Sequence, residues 1–274
     1  FLNSITTVHE GLKTRDNDNF LRLWFEINQR DYNLNWMKYS KGGEFRKWYG
    51  NHDYVLKWHN DGKEIKCFKK ASGVNFPHYF TDALIFKSIG YDFATLYTND
   101  SIFGGGGSGI TNIQKDLLYY LSALTNTKLS LKFLNHLSET LNFEVGNIGK
   151  LPIVLTKQES TKQTIDTLTQ DCIDISKEDW DSRETSWDFT KNELLKHLVP
   201  KGTLCEKSDS KIETAYNNYC QVWSEKFYKL HANEEELNRL FIDIYELGDE
   251  LTPDVALKDI TILKSESIIN DRGE

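Results

Sequence analysis

With 274 residues, 39% hydrophobic and 13% aromatic, the chain can fill one large or two ordinary cores, which excludes disorder over most of its length. No apolar run is long enough to span a bilayer, and the first residues lack both a charged start and an apolar h-region, so a cytoplasmic protein without a secretion signal or membrane anchor is expected. The formal net charge of −8 hides a gradient: residues 1–80 carry 13 Lys and Arg against 9 Asp and Glu, whereas residues 151–274 carry 15 against 26. The basic, aromatic-rich N-terminal part could therefore face phosphates while the acidic C-terminal part faces water or protein.

Residues 1–110 read as mostly β with turns. Tyr54-Val55-Leu56-Lys57-Trp58 and Leu84-Ile85-Phe86 are short apolar or alternating runs, punctuated at Asn60-Asp61-Gly62, Ser72-Gly73 and Ser88-Ile89-Gly90. A hairpin is predicted around Asp61-Gly62. Before it, residues 38–51 bring Lys41, Arg46 and Lys47 beside Trp48 and Tyr49, with Gly42, Gly43, Gly50 and Asn51 between. Cations attract phosphates and guanine edges, flat rings offer stacking faces, and glycines let backbone approach a ligand, so nucleic acid is the first ligand to consider. The run Gly104-Gly105-Gly106-Gly107-Ser108-Gly109 reads as a mobile loop, since neither the Lys-Ser/Thr nor the helix of a phosphate-cradling loop follows it.

From Gln114 to Leu137 the apolar residues recur at helical intervals, predicting two helices or one broken near Thr125-Asn126-Thr127. Residues 141–145 look extended, and a domain edge is expected near residue 155. Beyond it Ile165, Leu168, Cys172 and Ile175 form one helical stripe, and Ile212, Tyr216, Tyr219, Trp223, Phe227 and Leu230 another, the seam of a helical hairpin or coiled coil. Asn233 and Glu236 read as a capping box opening a further helix. The fold class is α+β: a β-rich domain over residues 1–155 followed by a helical region over residues 156–274. Cys67, Cys172, Cys205 and Cys220 are scattered without a C-x-x-C pair, pointing to buried or idle thiols rather than a zinc site or disulfides.

Several segments together resemble a known family. Residues 11–24, from Gly11-Leu12-Lys13-Thr14-Arg15-Asp16-Asn17 to Leu23-Trp24, and the closing run Thr140-Leu141-Asn142-Phe143-Glu144-Val145-Gly146-Asn147-Ile148-Gly149-Lys150-Leu151-Pro152 resemble the target-recognition region of adenine-specific DNA methyltransferases. The segment 175–189, Ile175-Ser176-Lys177-Glu178-Asp179-Trp180-Asp181-Ser182-Arg183-Glu184-Thr185-Ser186-Trp187-Asp188-Phe189, the run 233–243 and Asp249-Glu250-Leu251-Thr252-Pro253 are similar to the PglX-type methyltransferases of BREX phage-defence systems, relatives of type IIG restriction enzymes. One departure is Arg15, where the family usually carries glycine; it either adds a phosphate contact or alters a turn that wanted glycine.

The resemblance implies a double-stranded DNA recognition module. Lys41, Arg46, Lys47 and Lys57 would contact phosphate or guanine, Asn51 an adenine edge, Trp48 and Tyr49 the sugars or groove shape, with Arg15 and Asn17 in the first recognition loop. The family's S-adenosylmethionine loop and Asn-Pro-Pro-Tyr/Phe tetrapeptide have no counterpart here, because Pro77, Pro152, Pro200 and Pro253 are all isolated. The chain, which begins on Phe1 and ends on a charged tail, thus reads as a piece of a longer enzyme whose catalytic domain binds the cofactor. Two other readings stay open. Asp53 with Glu64-Ile65-Lys66 has the loose form of a Mg²⁺-dependent nuclease site, as in a type IIG enzyme. The acidic helical half could instead be an adaptor for other defence proteins, with Trp180, Trp187 and Trp223 as anchors.

Overall fold

The computed structural model describes residues 1–137, 142–198, 211–264 and 266. In chain order the elements are β1 (Thr7–Glu10), α1 (Asn17–Phe20), β2 (Leu21–Leu23), β3 (Trp36–Ser40), β4 (Tyr54–Lys57), α2 (His59–Cys67), β5 (Ala83–Lys87), β6 (Thr95–Thr98), β7 (Ile102–Phe103), β8 (Gly107–Thr111), α3 (Leu118–Asn126), α4 (Lys128–Leu137), α5 (Val145–Ile148), α6 (Glu159–Asp181) and α7 (Lys211–Ile244). The fold is α+β. No helix among the described residues is long and apolar enough to cross a membrane.

Two four-stranded sheets make up the β half. One is antiparallel throughout in the order β1-β8-β5-β6, and the other runs β2-β4-β3-β7 with only its last pair parallel. β5 has Ala83, Leu84, Ile85 and Phe86 all buried, as expected of a strand covered on both faces. Leu84 and Phe86 pack with Leu117, Leu121 and Leu134 of the helical segments beside one face, while Ala83 and Ile85 join Leu56, Ile102 and Phe103 under the other.

The glycine run is not a loop throughout. Only Gly105 and Gly106, with φ of +62° and +123°, form an exposed turn; Gly107–Thr111 is a buried strand between β1 and β5. Glycine is required there by close approach, because a Cβ on Gly109 would lie 2.5 Å from the Phe103 ring and one on Gly104 only 1.9 Å from the Leu12 carbonyl oxygen. The hairpin expected at Asp61-Gly62 is also absent. Asn60, Asp61 and Gly62 do take left-handed backbone, but they start α2, and β4 pairs upstream with β2 and β3. The turn chemistry was right and the pairing wrong, since no strand follows to close a hairpin.

The break near Thr125-Asn126-Thr127 is present: α3 ends at Asn126 and extended Thr127 precedes α4. Asn126 donates to Ser122 and Thr95 carbonyls and accepts from the Thr95 N–H, fastening α3 to β6. Of the segment expected to be extended, Leu141 lies outside the described residues, Asn142 makes an isolated bridge to Ile89, and Val145 already opens α5. Asn233 and Glu236 open no new helix. They lie inside α7, 34 residues or about 51 Å of continuous helix, because Leu230, Leu237 and Phe241 extend one buried stripe through them.

α6 and α7 pack as the expected antiparallel pair, and α6 also rests on α3. One core cluster joins Trp48, Tyr120, Leu124 and Leu129 to Ile165, Cys172, Leu230, Leu237 and Phe241, so the two halves share buried surface. Cys172 lies in that core, whereas Cys67 and Cys220 are exposed thiols; Cys205 falls outside the described residues.

Candidate functional site

Residues 44–51 do not project as a free basic loop. The Trp48 backbone adds to the edge of β6, its N–H donating to Thr95 at 3.0 Å and its carbonyl accepting from Tyr97 at 2.7 Å. That docking aims the neighbouring side chains at the helical half. Arg46 Nη2 donates to Asp179 at 2.7 Å and its guanidinium lies 5.1 Å from the Trp180 ring centre. Lys47 Nζ donates to Glu234 at 2.6 Å, and the Trp48 indole N–H donates to the other oxygen of that carboxylate at 2.8 Å.

Both carboxylates are 2% exposed. Asp179 additionally receives Arg183 and the Leu263 N–H. Trp48 is in the core, Tyr49 is buried with its hydroxyl pushed up to about 12 by burial, and Asn51 is buried with its amide donating to the Glu44 carbonyl. Arg46, Lys47, Trp48, Tyr49 and Asn51, read from the sequence as DNA-facing, are thus turned inward. The physical reason is that Asp179 and Glu234, remote in sequence, supply charges a buried cation needs.

Lys57 pairs with Glu64 on α2 at 2.7 Å and points away from that joint. Glu64 is therefore occupied, Lys66 pairs with Asp61, and Asp53 sits at the opposite end of β4, a strand about 13 Å long. The nuclease-like trio is not assembled. Among the described residues no cluster of three or more His, Cys, Asp or Glu could hold a metal ion.

Lys41, Arg15 and Asn17 remain on the surface side. Lys41 lays its ammonium 4.4 Å from the Tyr54 ring centre, with its stem against the Gly105 turn. Arg15 is exposed with φ +57°, which explains why glycine suits that position and leaves the guanidinium free. Asn17 is exposed and accepts from Thr14 Oγ1.

Sequence reasoning missed the cations around them. A two-way backbone bridge between Lys13 and Ser72 brings the segment carrying Arg15 alongside the exposed Lys69-Lys70 pair. On the other side Leu12 bridges Gly104, and exposed Lys87 faces Gly107 in the β5–β8 register. Arg15, Lys69, Lys70, Lys41 and Lys87 so follow one strip of apposed glycine-rich backbone, and no carboxylate of the described residues pairs with them. The adjacent Lys69-Lys70 ahead of Ser72-Gly73 was the available signal.

In fold the chain resembles part of a restriction-modification enzyme. It superposes with a TM-score of 0.53 on the type IIL restriction-modification enzyme MmeI, solved in complex with DNA, covering 91% of the present chain and 34% of that one at 13% identity. In sequence the chain is 34% identical over 284 residues to the adenine-specific methyltransferase PglX of Lacticaseibacillus casei strain Zhang, covering 96% of this chain and 23% of the relative. It is 30% identical over 259 residues to the adenine-specific methyltransferase BrxX of Escherichia coli O9:H4 strain HS, covering 90% and 20%. The chain spans under a quarter of the length of these curated relatives. No protein-family model matches it.

Proposed function

We propose that the chain grips and reads double-stranded DNA for an S-adenosylmethionine-dependent N6-adenine methyltransferase of cytoplasmic phage defence, whose cofactor site and chemistry lie in sequence outside these 274 residues. The observation that carries the reading is the similarity, over almost the whole chain, to two adenine-specific methyltransferases. The MmeI complex supports a DNA partner. An enzyme acting on adenine N6 must extrude the base, and a separate surface has to hold the duplex meanwhile.

In this reading the strip of Arg15, Lys69, Lys70, Lys41 and Lys87 meets phosphates, while Asn17 lies at its edge within reach of a base. Arg46, Lys47 and Trp48 mount that strip on the helical half rather than touching DNA. Fluorescence anisotropy with a labelled duplex across a salt series tests this. Each lost phosphate contact lowers the slope of log K against log salt by about 0.9, so Lys69→Ala with Lys70→Ala flattens it by about 1.8. Lys226→Ala, on the far helical surface, leaves it unchanged. Absence of duplex binding, or an unaltered slope in the Lys69, Lys70 and Arg15 variants together, overturns the reading.

A further inference from the structure

Away from the cationic strip lies a groove that DNA reading does not use. Trp24, Phe25, Ile27, Glu184, Trp187 and Phe189 line an open depression of about 330 Å³. One wall is the short helical turn Trp24–Glu26 that follows β2, and the other is the loop leaving α6. The walls are tied together: the Trp24 indole N–H donates to the Thr185 carbonyl at 2.7 Å. Trp24 stands edge-on to Trp187 with centres 5.2 Å apart, and Trp187 lies against Tyr32 at 4.2 Å. On this fixed floor Phe25 is 62% exposed, and Leu34 nearby in sequence is 69% exposed.

Glu184 is the charged side chain among the groove-lining residues. The bordering segments, residues 24–32 and 183–191, also carry Glu26, Asp31 and Asp188 and the cations Arg30, Arg183 and Lys191, but Asp188 faces Lys177 at 3.9 Å and Arg183 is bonded to Asp179. Glu184 lines the groove without an ion pair among the described residues. No cation among the described residues lines the groove to hold a phosphate. A guanidinium suits the groove, because it stacks on indole faces and binds carboxylate through two N–H groups at once. The molecule uses the same pairing internally, where Arg46 lies over Trp180 while bonded to Asp179.

We propose that this groove docks an arginine-bearing segment of a separate protein, the guanidinium laid on an indole face and paired with Glu184, and a neighbouring apolar side chain resting on Phe25. The surface is independent of the cationic strip. Three acetylated, amidated hexapeptides test it, in which leucine alternates with arginine, with lysine or with glutamate, titrated into the ¹⁵N-labelled chain.

The arginine peptide should shift the indole N–H signals of Trp24 and Trp187 saturably and bind about ten-fold tighter than the lysine peptide, with no binding of the glutamate peptide. Glu184→Gln should weaken the arginine peptide by about ten-fold while thermal midpoint and duplex affinity stay at parental values. Phe25→Ala, a surface truncation, should weaken the arginine and lysine peptides alike. Equal binding of the arginine and glutamate peptides, or affinity that ignores Glu184, overturns the proposal. So do shifts of the same two indole signals by a single-stranded oligonucleotide, or by raising the protein concentration alone, since these place nucleic acid or a second copy in the groove.

Discussion

Lys47 and Glu234, 187 residues apart in sequence, meet at 2.6 Å with the carboxylate almost fully buried. Its second oxygen takes the Trp48 indole N–H, so one side chain of α7 satisfies two consecutive residues of the β half. Truncating a buried partner leaves the rest uncompensated. Glu234→Ala is therefore expected to lower stability by about 3 to 5 kcal/mol in urea unfolding, whereas Glu234→Leu with Lys47→Met should recover part of that loss. A Glu234→Ala variant within about 1 kcal/mol of the parent would show that the pair contributes only as a surface bridge does.

Asp179 makes a different prediction, because it holds a backbone amide. It accepts the Leu263 N–H at 3.0 Å besides Arg46 and Arg183. In Asp179→Ala the Leu263 amide loses its acceptor, and its hydrogen exchange should accelerate by at least about ten-fold, well beyond amides in β5. Unchanged protection at Leu263 would mean that packing of Ile260 and Ile262 alone secures the segment.

His52 contributes to the acid side of the stability curve. Burial foremost, then Lys38, lowers its pKa to about 4, with Asp100 and Asp181 pulling partly back. In the unfolded chain an imidazole titrates near 6.5. Between those values the unfolded chain binds a proton that the folded chain refuses, so stability is complete above about pH 6.5 and declines as pH falls toward 4, by roughly 3 kcal/mol across the interval. Denaturant midpoints at pH 7.5 and 5 should thus converge in His52→Gln relative to the parent; parallel curves would refute the assignment.

Gly104 is a steric test of the strip. With the Leu12 carbonyl 1.9 Å from where a Cβ would stand, Gly104→Ala must separate residues 11–15 from β7. Loss of soluble protein or a drop of about 3 kcal/mol or more is expected, while Gly146→Ala, which meets no atom within 4 Å, should be neutral. A stable Gly104→Ala chain would contradict the close backbone approach.

The helical half was legible because a buried stripe repeats locally: Ile165 to Ile175 and Trp223 to Leu230 announce themselves within a few turns. Strand pairing is not local. Asn60, Asp61 and Gly62 revealed left-handed backbone but not that the chain would enter a helix, and the glycine run hid a strand whose missing side chains make room for Phe103 and Leu12. The same limit applies to the site. Residue type marked Arg46 and Lys47 as cations, yet their fate depends on Asp179 and Glu234, which charge counting located only within an acidic C-terminal part. Arg15 could be flagged from its glycine-like position; only the bridge from Lys13 to Ser72 gathers Lys69 and Lys70 beside it.

Because the joint to α6 and α7 is fastened by charged groups that are largely buried, the exposed Lys69-Lys70 bend can exchange residues without loosening its mount, whereas the left-handed Gly105-Gly106 turn holds its glycines. Under the proposed function, substitutions in that bend alter contacts to the duplex while the orientation toward the rest of the protein is inherited unchanged.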